Sequence, residues 1–281
     1  MTMKRKSVFV VLSMACLMSM ISCKKGAEQP TNALTIPSEL TLDLGNKVTM
    51  KLVLIPAGKF LMGSPKDEKC RSEDEGPQHE VEISKPFYMG IYTVTQEQYE
   101  KLMGKNPSEF KGTSNPVETV SWDDAVDFCK ALSKETGKTV RLPTEAEWEY
   151  ACRAGTITPF NMGNTIGTDE ANYNGNDVYG EGKKGEFRQK TTPVGNFKAN
   201  AFGLYDMHGN VAEWCADLYD SNYYANSPKI DPQGPNNGPL RVARGGGWND
   251  GPLFCRSAAR VWCAPTLRYA YLGFRVVVEI K

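Results

Sequence analysis

The chain has 281 residues, with 33 basic and 33 acidic side chains and only two histidines. A neutral balance without a basic cluster argues against a nucleic-acid partner. The histidines, His79 and His208, are far apart and no HExxH or CxxC spacing occurs, which argues against a zinc enzyme.

The N-terminus is basic at Lys4 to Lys6 and then apolar from Ser7 to Ile21, the pattern of an export signal too short to span a bilayer comfortably. The run ends in "MISC" before "KKG", which resembles a bacterial lipobox. That implies removal of residues 1–22 and lipidation of Cys23, giving a membrane anchor at the bacterial outer membrane or cell surface; the other reading is a plain secretory signal cut elsewhere. Residues 23–45, polar with Pro30 and Pro37, read as a flexible tether, and 46–281 as one domain. Export permits disulfides among Cys70, Cys129, Cys152, Cys215, Cys255 and Cys263, and spacing alone does not choose the pairs.

Residues 50–64, "MKLVLIPAGKFLMGS", predict two short strands broken at Pro56 and Gly58. The acidic loop from Pro65 to Glu80 reads as solvated surface. Three helices follow with start signals. Thr95 precedes "QEQYEKLMG"; Ser121 with Asp124 frames a helix whose Ala125, Phe128, Cys129 and Leu132 share a face; Thr144 with Glu147 frames "TEAEWEYACRAG". From Gly155 to Arg244 the chain is rich in Gly, Asn, Asp and Pro, so it predicts a compact, loop-rich region stabilised by ligands, ions or internal packing. The end, "YLGFRVVVEIK", reads as a buried strand, and the whole as an α+β domain.

"DMHGNVAEWCAD" brings His208, Asp206 and Glu213 near Cys215 in sequence, which permits a Cys/His nucleophilic pair. The alternative, which we favour, is a glycine turn entering a strand whose Trp214 is core and whose Asn210 and Glu213 satisfy backbone groups.

Five ordered motifs, "RLPTEAEWEYACRAG", "GLYDMHGNVAEWCAD", "RVARGGGWND", "CRSAAR" and "LGFRVV", resemble the formylglycine-generating enzyme (sulfatase-modifying factor) family from Met50 to the end. The resemblance implies a C-type lectin fold of that type, loop-rich, with short antiparallel sheets and a few helices, in which "LVLIPAGKFLMG" and "LGFRVVVEI" run as neighbouring strands. It implies a disulfide between Cys152 and Cys255. It also makes Asn172, Tyr173 and Glu186 the matching residues for a calcium ion, a cation suited to oxygen ligands in loops. The oxidases of the family carry two reactive thiols after the "RGG" motif. Here "WNDGPLF" stands in their place, with Asp250 where the first thiol would be, so the expectation is a protein that is not an enzyme.

Constant "RGG-W", "CRSA-R" and "GFRVV" separated by divergent residues resemble the variable region of proteins diversified by retroelements. That implies a ligand-binding segment of about 247–272, whose face would comprise Trp248, Asp250, Gly251, Leu253, Phe254, Ala259, Val261, Trp262, Cys263, Ala264, Leu267, Tyr269, Ala270 and Tyr271. Aromatic side chains there offer contact area at small conformational cost. The expected partner is a surface ligand, protein or glycan. A formylglycine-type oxidase using Cys255 and Cys263, and a fixed structural lipoprotein of the cell envelope, are the alternatives.

Overall fold

The computed structural model describes residues 36–280, so Cys23 and the export signal lie outside the described residues. The folded unit begins at Pro37. Strand β1, Glu39–Asp43, pairs antiparallel with β2, Thr49–Ile55, and buries Leu42. The domain therefore reaches into the stretch read as tether. The alternation of Leu40 and Leu42 with polar neighbours, only five residues long, is the signal for it.

β2 ends at Pro56, and β3, Gly58–Met62, pairs instead with β4, His79–Ile83, in a separate two-stranded sheet. β5, Phe87–Gly90, leads to the helices α1, Gln96–Met103, and α2, Trp122–Thr136, then to β6, Val140–Arg141, and α3, Glu145–Arg153. All three helices start in a capping box: Thr95 with Gln98, Ser121 with Asp124, and Thr144 with Glu147 exchange side-chain and backbone hydrogen bonds. These occupy backbone N–H groups that a helix start leaves unpaired. α1 and α2 stop at Gly104 and Gly137, both left-handed, where glycine has no Cβ to clash. Ala125, Phe128, Cys129 and Leu132 of α2 are all buried.

Strands β7, Ala212–Leu218, β8, Arg241–Arg244, β9, Val261–Cys263, and β10, Leu272–Gly273, form a four-stranded sheet in the order β10-β7-β8-β9; β10 joins β7 in parallel. The last strand, β11, Val277–Glu279, enters the five-stranded sheet β1-β2-β5-β11-β6. The terminal segment is thus two strands in two sheets rather than one. β2 and β11 are not neighbours either, because β5 lies between them and pairs with both.

Alternation along β2 sends Met50, Leu52 and Leu54 to one apolar cluster, with Phe128, Trp214 and Phe274, and Val53 and Ile55 to another, with Trp148 and Cys215. A third, small cluster of Phe160, Ile166, Ala171, Tyr173, Tyr179 and Cys255 gives the loop-rich region its own packed interior. Internal packing is thus one of the three supports expected for that region.

Candidate binding face

The motif residues of the C-terminal segment build an interior frame. Arg244, fully buried on β8, donates to the carbonyls of Ser257 at 2.7 Å, Ala258 at 3.1 Å and Ala259 at 2.9 Å, and pairs with Glu149 and Glu145 of α3. Arg256 donates to Glu75 and to Glu68, each at 2.6 Å, and to the carbonyl of Cys70. Arg260 grips Glu145 through two bonds of 2.8 and 3.0 Å and lies over the rings of Tyr219 and Tyr224. Arg275 grips Glu213 at 2.6 and 2.7 Å and donates to the carbonyls of Gly90 and Tyr205. Two-point arginine–carboxylate pairs fix orientation as well as charge. Burial works against the charge of Glu145, but Arg260 and Arg244 outweigh it and hold its carboxyl below the ordinary range.

Two expectations change here. The acidic loop is not simply solvated surface: Asp74 and Glu75 are buried, and Glu68 and Glu75 meet Arg256 across 188 and 181 residues of sequence. Glu213 serves the indole of Trp148 and the guanidinium of Arg275 rather than backbone groups, whereas Asn210 does serve backbone, accepting from the N–H of Thr192 and donating to its carbonyl.

His208 does not pair with Cys215; its ring lies beside Cys152, with Nε2 3.7 Å from Sγ. Nδ1 donates to the carbonyl of Cys255 at 2.7 Å and Nε2 accepts from the N–H of Asn161 at 3.1 Å, so both ring nitrogens are occupied. Burial lowers the histidine to about 4 and pushes the Cys152 thiol up to about 12, the reverse of an activated pair. The bridge expected between Cys152 and Cys255 is not formed. Both are buried free thiols, Cys152 against His208 and Ser257 and Cys255 in the third cluster.

The divergent residues fall in several places. Trp248 donates its indole N–H to the carbonyl of Ala270, takes the edge of Phe110 at 5.3 Å and stacks on Phe187 at 6.2 Å. Beside it, Tyr269 and Tyr271 stack at 5.0 Å, nearly parallel, and Gly247 lies so close to Tyr271 that a Cβ would clash. Asp250 accepts from the N–H of Gly247, and its half-burial raises its carboxyl above the ordinary range. Leu267 is exposed, and Ala264 and Ala270 are half-buried. Hydrogen bonds from the N–H of Thr119 to Tyr269 and of Trp122 to Pro265 tie this stretch to the edge of α2.

The rest of the set does not join that surface. In β9, Val261 and Cys263 turn toward the cluster of Ala243 and Phe274, and the alternation of a strand sends Trp262 to the opposite side, against Tyr219 at 5.6 Å. Trp262 is 50% exposed there. Gly251 and Ala259 are buried, Leu253 packs on the third cluster, and Phe254 is exposed. One continuous face was expected; the structure divides it because three residues of β9 have strand geometry. Phe110, Phe187 and Tyr219, which complete the aromatic surfaces, were not among the candidates; their only signal is aromatic residues in polar stretches.

The sulfatase-modifying factor enzyme 1-like domain matches residues 43–280. The chain belongs to that family. Its fold is the C-type lectin type seen in Treponema denticola variable protein 1, which is 29% identical, with a TM-score of 0.75 over 87% of this chain and 100% of that one. PvdO from Pseudomonas aeruginosa is 34% identical with a TM-score of 0.74, covering 88% of this chain and 100% of that one. The formylglycine-generating enzyme of Mus musculus is 31% identical over 82% of this chain and 75% of its own. The chain spans 38% of the length of a Chlamydia caviae protein named serine/threonine-protein kinase pkn1, which it matches at 33% identity.

Within this family member, Asn172, Tyr173 and Glu186 are the residues that the resemblance matches to calcium. Asn172 Oδ1 is buried without a partner, as a ligand atom would be. Tyr173, whose main-chain carbonyl is the matching ligand, is fully buried, and the Glu186 carboxylate is largely exposed and paired with Arg188 at 3.0 Å. Among the described residues no three His, Cys, Asp or Glu side chains gather as a metal site.

Proposed function

We propose that this protein is a non-catalytic binding lipoprotein, held at the bacterial cell surface or outer membrane by a lipid on Cys23. Its C-terminal segment of about 247–272 presents retroelement-diversified residues to a protein or glycan ligand. One observation carries the reading. In a single segment the motif residues Arg244, Arg256, Arg260 and Arg275 are buried in ion pairs, while Trp248, Trp262, Leu267, Tyr269 and Tyr271 are half-buried or exposed. Such a division lets contact residues change without disturbing the frame. The likeness to a variable protein of the same fold supports the same reading.

The oxidase alternative draws on the mouse relative. Against it, Asp250 stands where a thiol is needed, and Cys255 and Cys263 belong to different apolar clusters. Copper(I) is held by paired thiolates.

The test has two parts. A cysteine-containing sulfatase peptide given copper and oxygen should stay unmodified by mass spectrometry, and turnover that disappears on Cys255→Ser would overturn the non-catalytic reading. Sequencing of sibling isolates should find substitutions gathered at codons such as those of Trp262, Tyr269 and Tyr271 while Arg244, Arg256 and Phe274 stay fixed. Substitutions scattered evenly over the domain would refute diversification.

A further inference from the structure

Away from the Trp248 surface, a cavity of about 970 Å³ opens between the acidic loop and residues 221–225. Its charged lining is balanced, Lys66 and Arg71 against Glu73 and Asp74, and its polar lining is hydroxyl and amide: Ser64, Gln78, Ser221 and Asn222. Asp74 is only 9% exposed; its Oδ2 accepts from the hydroxyl of Tyr219 at 2.8 Å, and its Oδ1 has no partner. That second oxygen is closed off from the cavity, so Asp74 serves it by holding Tyr219. The ring of Tyr219 also has the Arg260 guanidinium over it, 4.9 Å away, and carries the half-exposed indole of Trp262 at 5.6 Å. Through Tyr219, the exposed indole of Trp262 is thus tied to Asp74 in the lining of a polar, charge-balanced cavity.

We propose that this cavity and Trp262 together bind a neutral oligosaccharide. The C–H face of a pyranose is apolar and slightly positive, which suits the negative face of an indole. Its hydroxyls are donors and acceptors at once, which suits a lining of hydroxyl, amide and carboxylate groups. Balanced charge gives no advantage to an anionic glycan or a basic peptide. The volume exceeds what one sugar ring fills, so the site takes a chain of rings. The proposal takes Trp262 from the variable segment and goes beyond the binding reading above in that its cavity, Asp74 and Tyr219 lie outside that segment.

The experiment titrates neutral trisaccharides of glucose, mannose and N-acetylglucosamine into the purified protein, followed by calorimetry and indole fluorescence. At least one should bind, with affinity falling at least about tenfold, or roughly 1.4 kcal/mol, in Trp262→Ala and again in Asn222→Ala. Lys134→Ala, on the exposed side of α2, should leave it unchanged. Near-ultraviolet circular dichroism checks that each variant is folded. Binding of none of the three, binding indifferent to Trp262→Ala and Asn222→Ala, or preference for a sialylated trisaccharide or a lysine tripeptide would overturn the proposal. The binding role of the Trp248 surface would survive each of those results, because it fails on a different one: sibling sequences that do not vary there.

Discussion

Arg256 and Trp262 are six residues apart and lead opposite lives. The first is buried and closes a contact with Glu68 and Glu75, on the far side of the sequence; the second stands half in solvent with one ring beneath it. The contrast runs through the whole segment from Arg244 to Arg275. It teaches that an irregular stretch can be rigid without being apolar, because carbonyls and carboxylates pointed at guanidinium groups do what a strand ladder does elsewhere. The exposed side chains between them, such as Trp262 and Tyr269, take no part in those bonds. Arg268 is the exception among the motif arginines, since it is half-exposed and paired with Asp124 at the start of α2.

The sharpest way to break this contrast is to remove an arginine. Arg244→Ala takes one of two arginine partners from each of the buried Glu145 and Glu149, which keep Arg260 and Arg153, and leaves three carbonyls without that donor, so chemical unfolding should report a loss of about 3–5 kcal/mol. Phe274→Ala, in the core with Tyr99 and Phe128, should cost about as much by loss of packing. If Arg244→Ala unfolds like the wild type, the frame is not what holds the segment.

A gentler probe is pH. His208 is neutral when folded, with its value lowered by burial from 6.5 to about 4, while the unfolded chain takes up a proton below about 6.5. Its contribution is therefore complete above that pH and is lost as pH falls toward 4, by about 3 kcal/mol in all. Asp217, which burial and Glu145 raise to about 8, works the other way, its folded-state cost easing as the pH falls. The comparison to make is thus wild type against His208→Gln across pH 4 to 7. Equal slopes would mean that the histidine is not buried in its neutral form.

The smallest effects belong to the face. Trp262→Ser and Tyr269→Ser should each shift stability by about 0.5 kcal/mol, whereas Tyr271→Ser, half-buried against the core, should cost about 1–2 kcal/mol. Thermal unfolding orders the three. If Trp262 and Tyr269 behave like Phe274, they are interior packing and the contrast collapses.

The local parts of the fold were legible in the sequence, because their signals are local. Thr95, Ser121 and Thr144 announce helices through partners three residues on, and the buried face of α2 follows from helical spacing. Features made by distant pairing were not legible. Nothing within Pro65 to Glu80 signals that Glu75 meets Arg256, and nothing in "LGFRVV" signals that β5 lies between β11 and β2. The candidate site shows the same limit. Separating buried arginines from exposed aromatics needed only the motif, but the side to which Trp262 points depends on β9, whose three residues are too few for alternation to be read.

Because β11 lies between β5 and β6, the last residues of the chain close the middle of the largest sheet rather than decorate its rim. A chain that ends early anywhere in 247–272, or leaves the reading frame there, lacks this strand and exposes two unpaired edges, which are prone to aggregate. A frameshift there costs the fold a whole interior strand, whereas replacement of an exposed residue such as Trp262 costs it one side chain.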